Sequence, residues 1–113
     1  MATTTSVGRA AEKAAANYLE QLGYKILQQN WRTRWCEIDL VAAKGNTIYF
    51  VEVKYRSTSA YGAGLDYITP KKLQQMIFAA DFWQAKYNWQ GNAIMLAAEV
   101  NRDMAVADLV EIY

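Results

Sequence analysis

The sequence predicts an α/β fold in which a mixed sheet of about five strands has helices packed against it. Three observations carry that expectation. Two stretches repeat apolar residues at helical spacing, five runs read as strands with two of them β-rich around a turn, and the order is helix, three strands, helix, two strands. With 113 residues, 53% of them hydrophobic, the chain can build a core without staples, so one domain spanning residues 1–113 is expected.

Residues 6–22 bring Val7, Ala11, Ala14, Ala15, Tyr18, Leu19 and Leu22 to one helical stripe, and Gly23 stands where a helix C-terminus favours a left-handed residue. Residues 24–30, YKILQQN, alternate as a first strand. Residues 37–42 and 47–55 are two β-rich runs around the turn sequence AKGN, which signals a hairpin. Residues 57–67, STSAYGAGLDY, are rich in Ser and Gly and read as an irregular loop. Thr69 and Pro70 then supply an N-cap and first-turn proline for a second helix, which ends before Gly91. Its stripe of Leu73, Met76, Ile77, Ala80, Trp83 and Tyr87 marks a packing face. NAIMLAAEV and MAVADLVEIY close the chain as two strands separated by NRD.

Twelve basic and eleven acidic residues leave a formal charge of +1, so the total announces neither a polyanion binder nor a membrane-surface protein. The distribution is uneven. Residues 1–72 hold ten Lys and Arg against six Asp and Glu, whereas residues 73–113 hold two against five. One cysteine excludes an internal disulfide framework, and the absence of histidine removes both a usual zinc ligand and the base of Ser/His or Cys/His catalysis. The first residues lack a signal-peptide core, and the apolar stretch AIMLAA is far too short to span a membrane. A soluble cytoplasmic protein is the expectation.

The run CEIDLVAAKGNTIYFVEVKYRS poses the chemical question, because Glu52 and Lys54 interrupt a strand of Ile, Tyr, Phe and Val. Alternation sends Tyr49, Val51, Val53 and Tyr55 to one face and Ile48, Phe50, Glu52, Lys54 and Arg56 to the other. On the partner strand Glu37 and Asp39 are expected to share one face and Ile38 and Leu40 the other. An antiparallel neighbour would bring Asp39 to Glu52. Two close carboxylates raise each other's pKa unless a cation sits between them, and a hard ion such as Mg²⁺ prefers such oxygen ligands. Lys54 on the same face would stabilise negative charge on a phosphate or orient an attacking water. A solvated strand end with a salt bridge is the competing reading. An Asp thirteen residues earlier, on the hairpin partner, favours the site.

The segments GRAAEKAAANYLEQLGYKILQQNWR, EIDLVA and FVEVKYR, and more loosely YGAGLDYITPKKLQQM, resemble the YraN family of bacterial proteins. That family is related by prediction to Holliday-junction resolvases and the PD-(D/E)xK nuclease superfamily. The resemblance implies a restriction-endonuclease-like, resolvase-like three-layer fold and a nuclease-like domain that uses Mg²⁺ or Mn²⁺ to hydrolyse DNA, branched or structured. It implies Asp39 and Glu52 as metal ligands with the Val53 carbonyl completing the site, Lys54 as the catalytic lysine, and Glu12 as a helix-borne carboxylate facing the same cleft. By analogy with resolvases it also implies a homodimer. Cys36 stands where the family usually has Gly, and the closing residues match only loosely.

Arg32, Arg34 and Arg56 are candidates to hold flanking phosphates, joined by Lys71 and Lys72 at the start of the second helix, where anions are favoured. Trp31 and Trp35 would either stack on unpaired bases or belong to the core. Two rival functions stand beside the nuclease: a nucleic-acid-binding module that cuts nothing, and a protein-interaction domain recruiting through its aromatic surface.

Overall fold

The computed structural model describes residues 4–57 and 68–113, with side chains from Ser6 onward; residues 58–67 of the expected loop lie outside the described residues. The elements are α1 (Thr4–Gln21), β1 (Lys25–Arg32), β2 (Glu37–Lys44), β3 (Thr47–Tyr55), α2 (Pro70–Lys86), β4 (Asn92–Val100) and β5 (Val106–Glu111). Local chemistry sets most of these boundaries. Gly23 adopts φ 94° and Tyr24 N–H returns to the Leu19 carbonyl, which closes α1 as its sequence anticipates. Gly45, at φ 62°, supplies the left-handed residue of the two-residue β2–β3 turn. Thr69 Oγ1 accepts the Lys72 N–H at 3.1 Å, capping α2 ahead of Pro70.

The strands form one sheet in the order β1-β2-β3-β4-β5. Three of the four pairings are antiparallel, and β3·β4 is parallel over nine residue pairs, with α2 in the crossover between them. This places β3 at the centre. Its alternation is as expected on both faces. Val51 packs with Leu40, Leu96, Ala98 and Val100 beneath Ala11, Ala15, Ala16 and Leu19 of α1. Ile48 and Phe50 pack with Trp31, Ile38, Val41 and Met95 beneath Ala79, Ala80 and Trp83 of α2. The molecule is therefore an α/β fold of three layers, α1, sheet and α2. Each fully buried Leu, Ile or Val of these two cores contributes about 1.5–3 kcal/mol of transfer free energy.

Two irregularities modify the regular picture. The β1–β2 register slips at Leu27, and Asn30 takes φ 52°, a left-handed conformation that Asn tolerates better than most residues. As a result Asn30 turns toward α1 while its neighbour Trp31 sits in the α2-side core. Opposite them, Ile38 belongs to the α2-side core and Leu40 to the α1-side core. This corrects the expectation that Ile38 and Leu40 share a face: the β2–β3 ladder ends at Leu40–Val51, and residues 37–39 depart from strict alternation where it ends. The last strand also starts later than its sequence suggests. Asn101 Oδ1 accepts the N–H groups of Asp103 and Ala105, and Met104 at φ 56° completes a turn that keeps residues 104 and 105 out of β5. Among the described residues, no helix is long and apolar enough to cross a membrane.

Candidate functional site

Where β2 and β3 stop pairing, a side chain takes over from the ladder. Val53 N–H donates to Asp39 Oδ2 at 2.8 Å, so a carboxylate accepts a strand N–H beyond the last backbone pair. Glu12, reaching from α1, shares a side-chain hydrogen bond with Asp39, and Asn30 Nδ2 donates to Glu12 Oε1 at 2.7 Å. The left-handed turn at Asn30 is what aims its amide at the helix. Burial pushes the Asp39 carboxyl from 3.8 up to about 8; the negative Glu52 and Glu12 add to the rise, while the Val53 N–H opposes it. Burial likewise raises Glu12, against the pull of its hydrogen bonds to Asp39 and Asn30 and of Arg9 and Arg32. Near neutral pH the Glu12–Asp39 pair holds a proton.

Glu52 faces the α2 side, and its partner is Lys72, with Nζ 2.9 Å from Oε2. Burial lowers the Lys72 ammonium, but the Glu52 and Asp39 charges outweigh it and leave its pKa raised. Lys54, two residues along β3, is exposed and stands in register with Glu99 of β4. Arg56 and Glu99 form a mostly buried ion pair, Nε to Oε1 2.9 Å, with side chains 18% and 13% exposed. Arg56 thereby ties the end of β3 to β4.

A cleft of about 690 Å³ opens on this α2 face. Arg32, Glu37, Glu52, Lys71 and Lys72 line it, with Trp35 and Phe78 at its aromatic wall. Arg32 meets Glu37 at 3.5 Å with both side chains more than 60% exposed, a contact that contributes at most about 1 kcal/mol and is easily exchanged. Arg34 is outside that lining and lies over the Trp35 ring, 5.3 Å from its centroid. Trp31 is 9% exposed and in the core, whereas Trp35 is 66% exposed and stands outside it.

Among the described residues, no set of three or more Asp, Glu or Cys side chains is gathered as a metal cage. Magnesium is commonly held through only one or two carboxylates, with water and phosphate oxygens supplying the rest. Asp39 and Glu52 fit that donor set. An Asp whose ionisation is opposed by burial and by two neighbouring carboxylates is a group that a divalent cation would relieve. Sequence reasoning does not single out Asn30 or Glu99. Glu99 carries the same signal as Glu52, a carboxylate ending an apolar strand, whereas Asn30 depends on a backbone conformation with no comparable local mark.

A model of the uncharacterised protein family UPF0102 matches residues 11–112. The chain belongs to this family. It is 41% identical over 87 residues to a UPF0102 protein of Sulfurihydrogenibium sp. (strain YO3AOP1), covering 77% of this chain and 76% of that one. A UPF0102 protein of Ectopseudomonas mendocina is 40% identical over 90 residues, 79% of this chain and 76% of its own. One of Cytophaga hutchinsonii is 43% identical over 84 residues, 74% of each. The UPF0102 match takes in Glu12, Asp39, Glu52, Lys54 and Lys72 together.

Proposed function

We propose that this UPF0102 protein is a Mg²⁺- or Mn²⁺-dependent endonuclease-like protein that hydrolyses phosphodiester bonds of DNA, branched or structured. The observation that carries the reading is the Asp39–Glu52 pair at the fork of β2 and β3, beside a cleft lined by Arg32, Lys71 and Lys72. Asp39 and Glu52, with the Val53 carbonyl, would hold the ion, which when bound supplies Lewis acidity toward the phosphodiester and makes water easier to deprotonate. Asp39 must first release its proton, and Glu12, hydrogen-bonded to it and oriented by Asn30, is the group placed to take part in that transfer. Lys54 extends from the same strand to stabilise charge on the reacting phosphate. Lys72 starts as the counter-charge of Glu52 and becomes available to phosphate once another cation neutralises that carboxylate. Arg32 and Lys71 hold neighbouring phosphates by charge, Arg32 exchanging its weak surface contact with Glu37 for a stronger one. The activity belongs in the cytoplasm, and the resolvase analogy makes the working form a homodimer.

One observation favours a second reading, a nucleic-acid-binding module of the same fold. Glu52 is already compensated by Lys72, so that carboxylate is balanced without a metal. Titration calorimetry of Mn²⁺ into wild type and Asp39→Ala with a short branched DNA, followed by cleavage assays, separates them. The nuclease reading expects metal binding and cleavage that vanish in Asp39→Ala while DNA affinity persists. A wild type that binds DNA but neither binds metal nor cuts sinks the nuclease and leaves the module.

A further inference from the structure

We infer that the cleft binds a single DNA strand, with an unpaired base stacked on Trp35 and Phe78 while the cations beside them hold its phosphates. The inference rests on the nucleic-acid reading above and names the form of substrate that the cleft accepts.

The β1–β2 turn is built to hold Trp35 outward. Thr33 Oγ1 accepts the N–H groups of Trp35 and Cys36, each at 3.1 Å, and Thr33 N–H donates to the Cys36 carbonyl at 2.8 Å. This fixes the backbone on both sides of Trp35 and leaves its ring 66% exposed. Phe82 supports it from α2, with ring centroids 5.9 Å apart, and also packs against Phe78 at 6.2 Å, itself 52% exposed. Phe82 is half-buried and meets Trp31 at 6.1 Å, so two exposed rings are anchored through a third to the core. Two large rings exposed together are costly in water unless something covers them.

Charge says what the occupant is. Trp35 and Phe78 line the same cleft as Arg32, Lys71 and Lys72, and Arg34 lies against the Trp35 ring. Flat apolar faces alternating with cations complement a chain of flat bases alternating with phosphates. A strand with unstacked bases offers those faces, whereas an intact duplex keeps them inside its own stack. Lys72, ion-paired with Glu52 in this cleft, then stands beside the phosphate next to the stacked base.

The test is fluorescence anisotropy of the full chain in EDTA, so that nothing is cut, with three labelled probes of about 15 nucleotides: a thymine strand, a blunt duplex, and a duplex with a single-stranded arm. Wild type should bind the strand and the armed duplex about ten-fold more tightly than the blunt duplex. Trp35→Ala and Phe78→Ala should each lose most of that preference, about ten-fold in strand affinity, with no change in the slope of affinity against salt, and Trp35→Phe should retain it. Equal affinity of Trp35→Ala and wild type for the strand, or of wild type for strand and blunt duplex, overturns the inference. If the blunt duplex is nonetheless cut in an Asp39-dependent way, the nuclease reading survives that failure. Absence of binding to all three probes overturns the inference and, where no probe is cut in Mg²⁺ either, overturns the nuclease reading and assigns the rings to a protein contact.

Discussion

Asp39 sits under opposed demands, because its carboxylate accepts a backbone N–H in a half-buried place where two other carboxylates oppose its charge. Its pKa near 8 when folded, against 3.8 ordinarily, means that the folded protein holds this proton more tightly than the unfolded chain does. The stability Asp39 contributes is fully present below about pH 4 and is lost as pH rises through about 8. Urea denaturation in EDTA should therefore show stability falling between pH 5 and about 9 in wild type, with Asp39→Asn lacking most of that slope. The amide of Asn still accepts the Val53 N–H. Metal binding near neutral pH should release about one proton, seen as a buffer-dependent heat in calorimetry and as affinity rising toward pH 8. Arg56→Ala should lower stability by about 1–3 kcal/mol by stranding a mostly buried Glu99, with little effect on DNA affinity. At this scale Asp39 and Glu52 are legible because charges interrupt apolar runs, and Lys72 falls at the helix end where its sequence puts it. Its bond to Glu52 is not legible, since it joins residues twenty apart through a packing angle that no local pattern encodes.

Elements are readable wherever one residue's own chemistry decides the backbone. Gly23, Gly45 and the Thr69–Pro70 cap behave as their residue types require. The register slip at Leu27 and the left-handed turn at Asn30 are not legible, because a bulge reflects how two strands twist against a helix and leaves little trace in either strand alone. Those irregularities place Asn30 beside Glu12, so the least legible part of the sheet supports the candidate site. Thr69→Ala should destabilise by about 1 kcal/mol in urea denaturation and loosen the first turn of α2, which carries Lys72. Gly91→Ala should destabilise by about 1–3 kcal/mol, because an added Cβ would lie 2.5 Å from the Trp89 ring and 2.8 Å from the Asn46 carbonyl, the acceptor of the Asn92 N–H.

Across the whole molecule, the uneven charge resolves into a positive cleft on the α2 face, although the net charge is only +1. Arg32→Ala and Lys71→Ala should each reduce the slope of log affinity against log salt by about 1 for DNA, as follows when one phosphate is no longer neutralised and one fewer counterion is released. The three-layer architecture is legible from element order and alternation; which faces of the sheet the carboxylates occupy depends on where its ladders end. The two ladders of β3 also differ in how far apart their partners lie along the chain. Its pairing with β2 closes a two-residue turn, whereas its pairing with β4 must wait for the α2 crossover. Neighbours along the chain meet faster than distant segments do. During folding, Asp39 and Glu52 should therefore meet while Lys72 is still unplaced, so that the hairpin's growth is held back by a repulsion that Lys72 partly offsets in the finished protein. Refolding should quicken when these carboxylates are protonated or when Asp39 is replaced by Asn, a dependence that stopped-flow kinetics can measure.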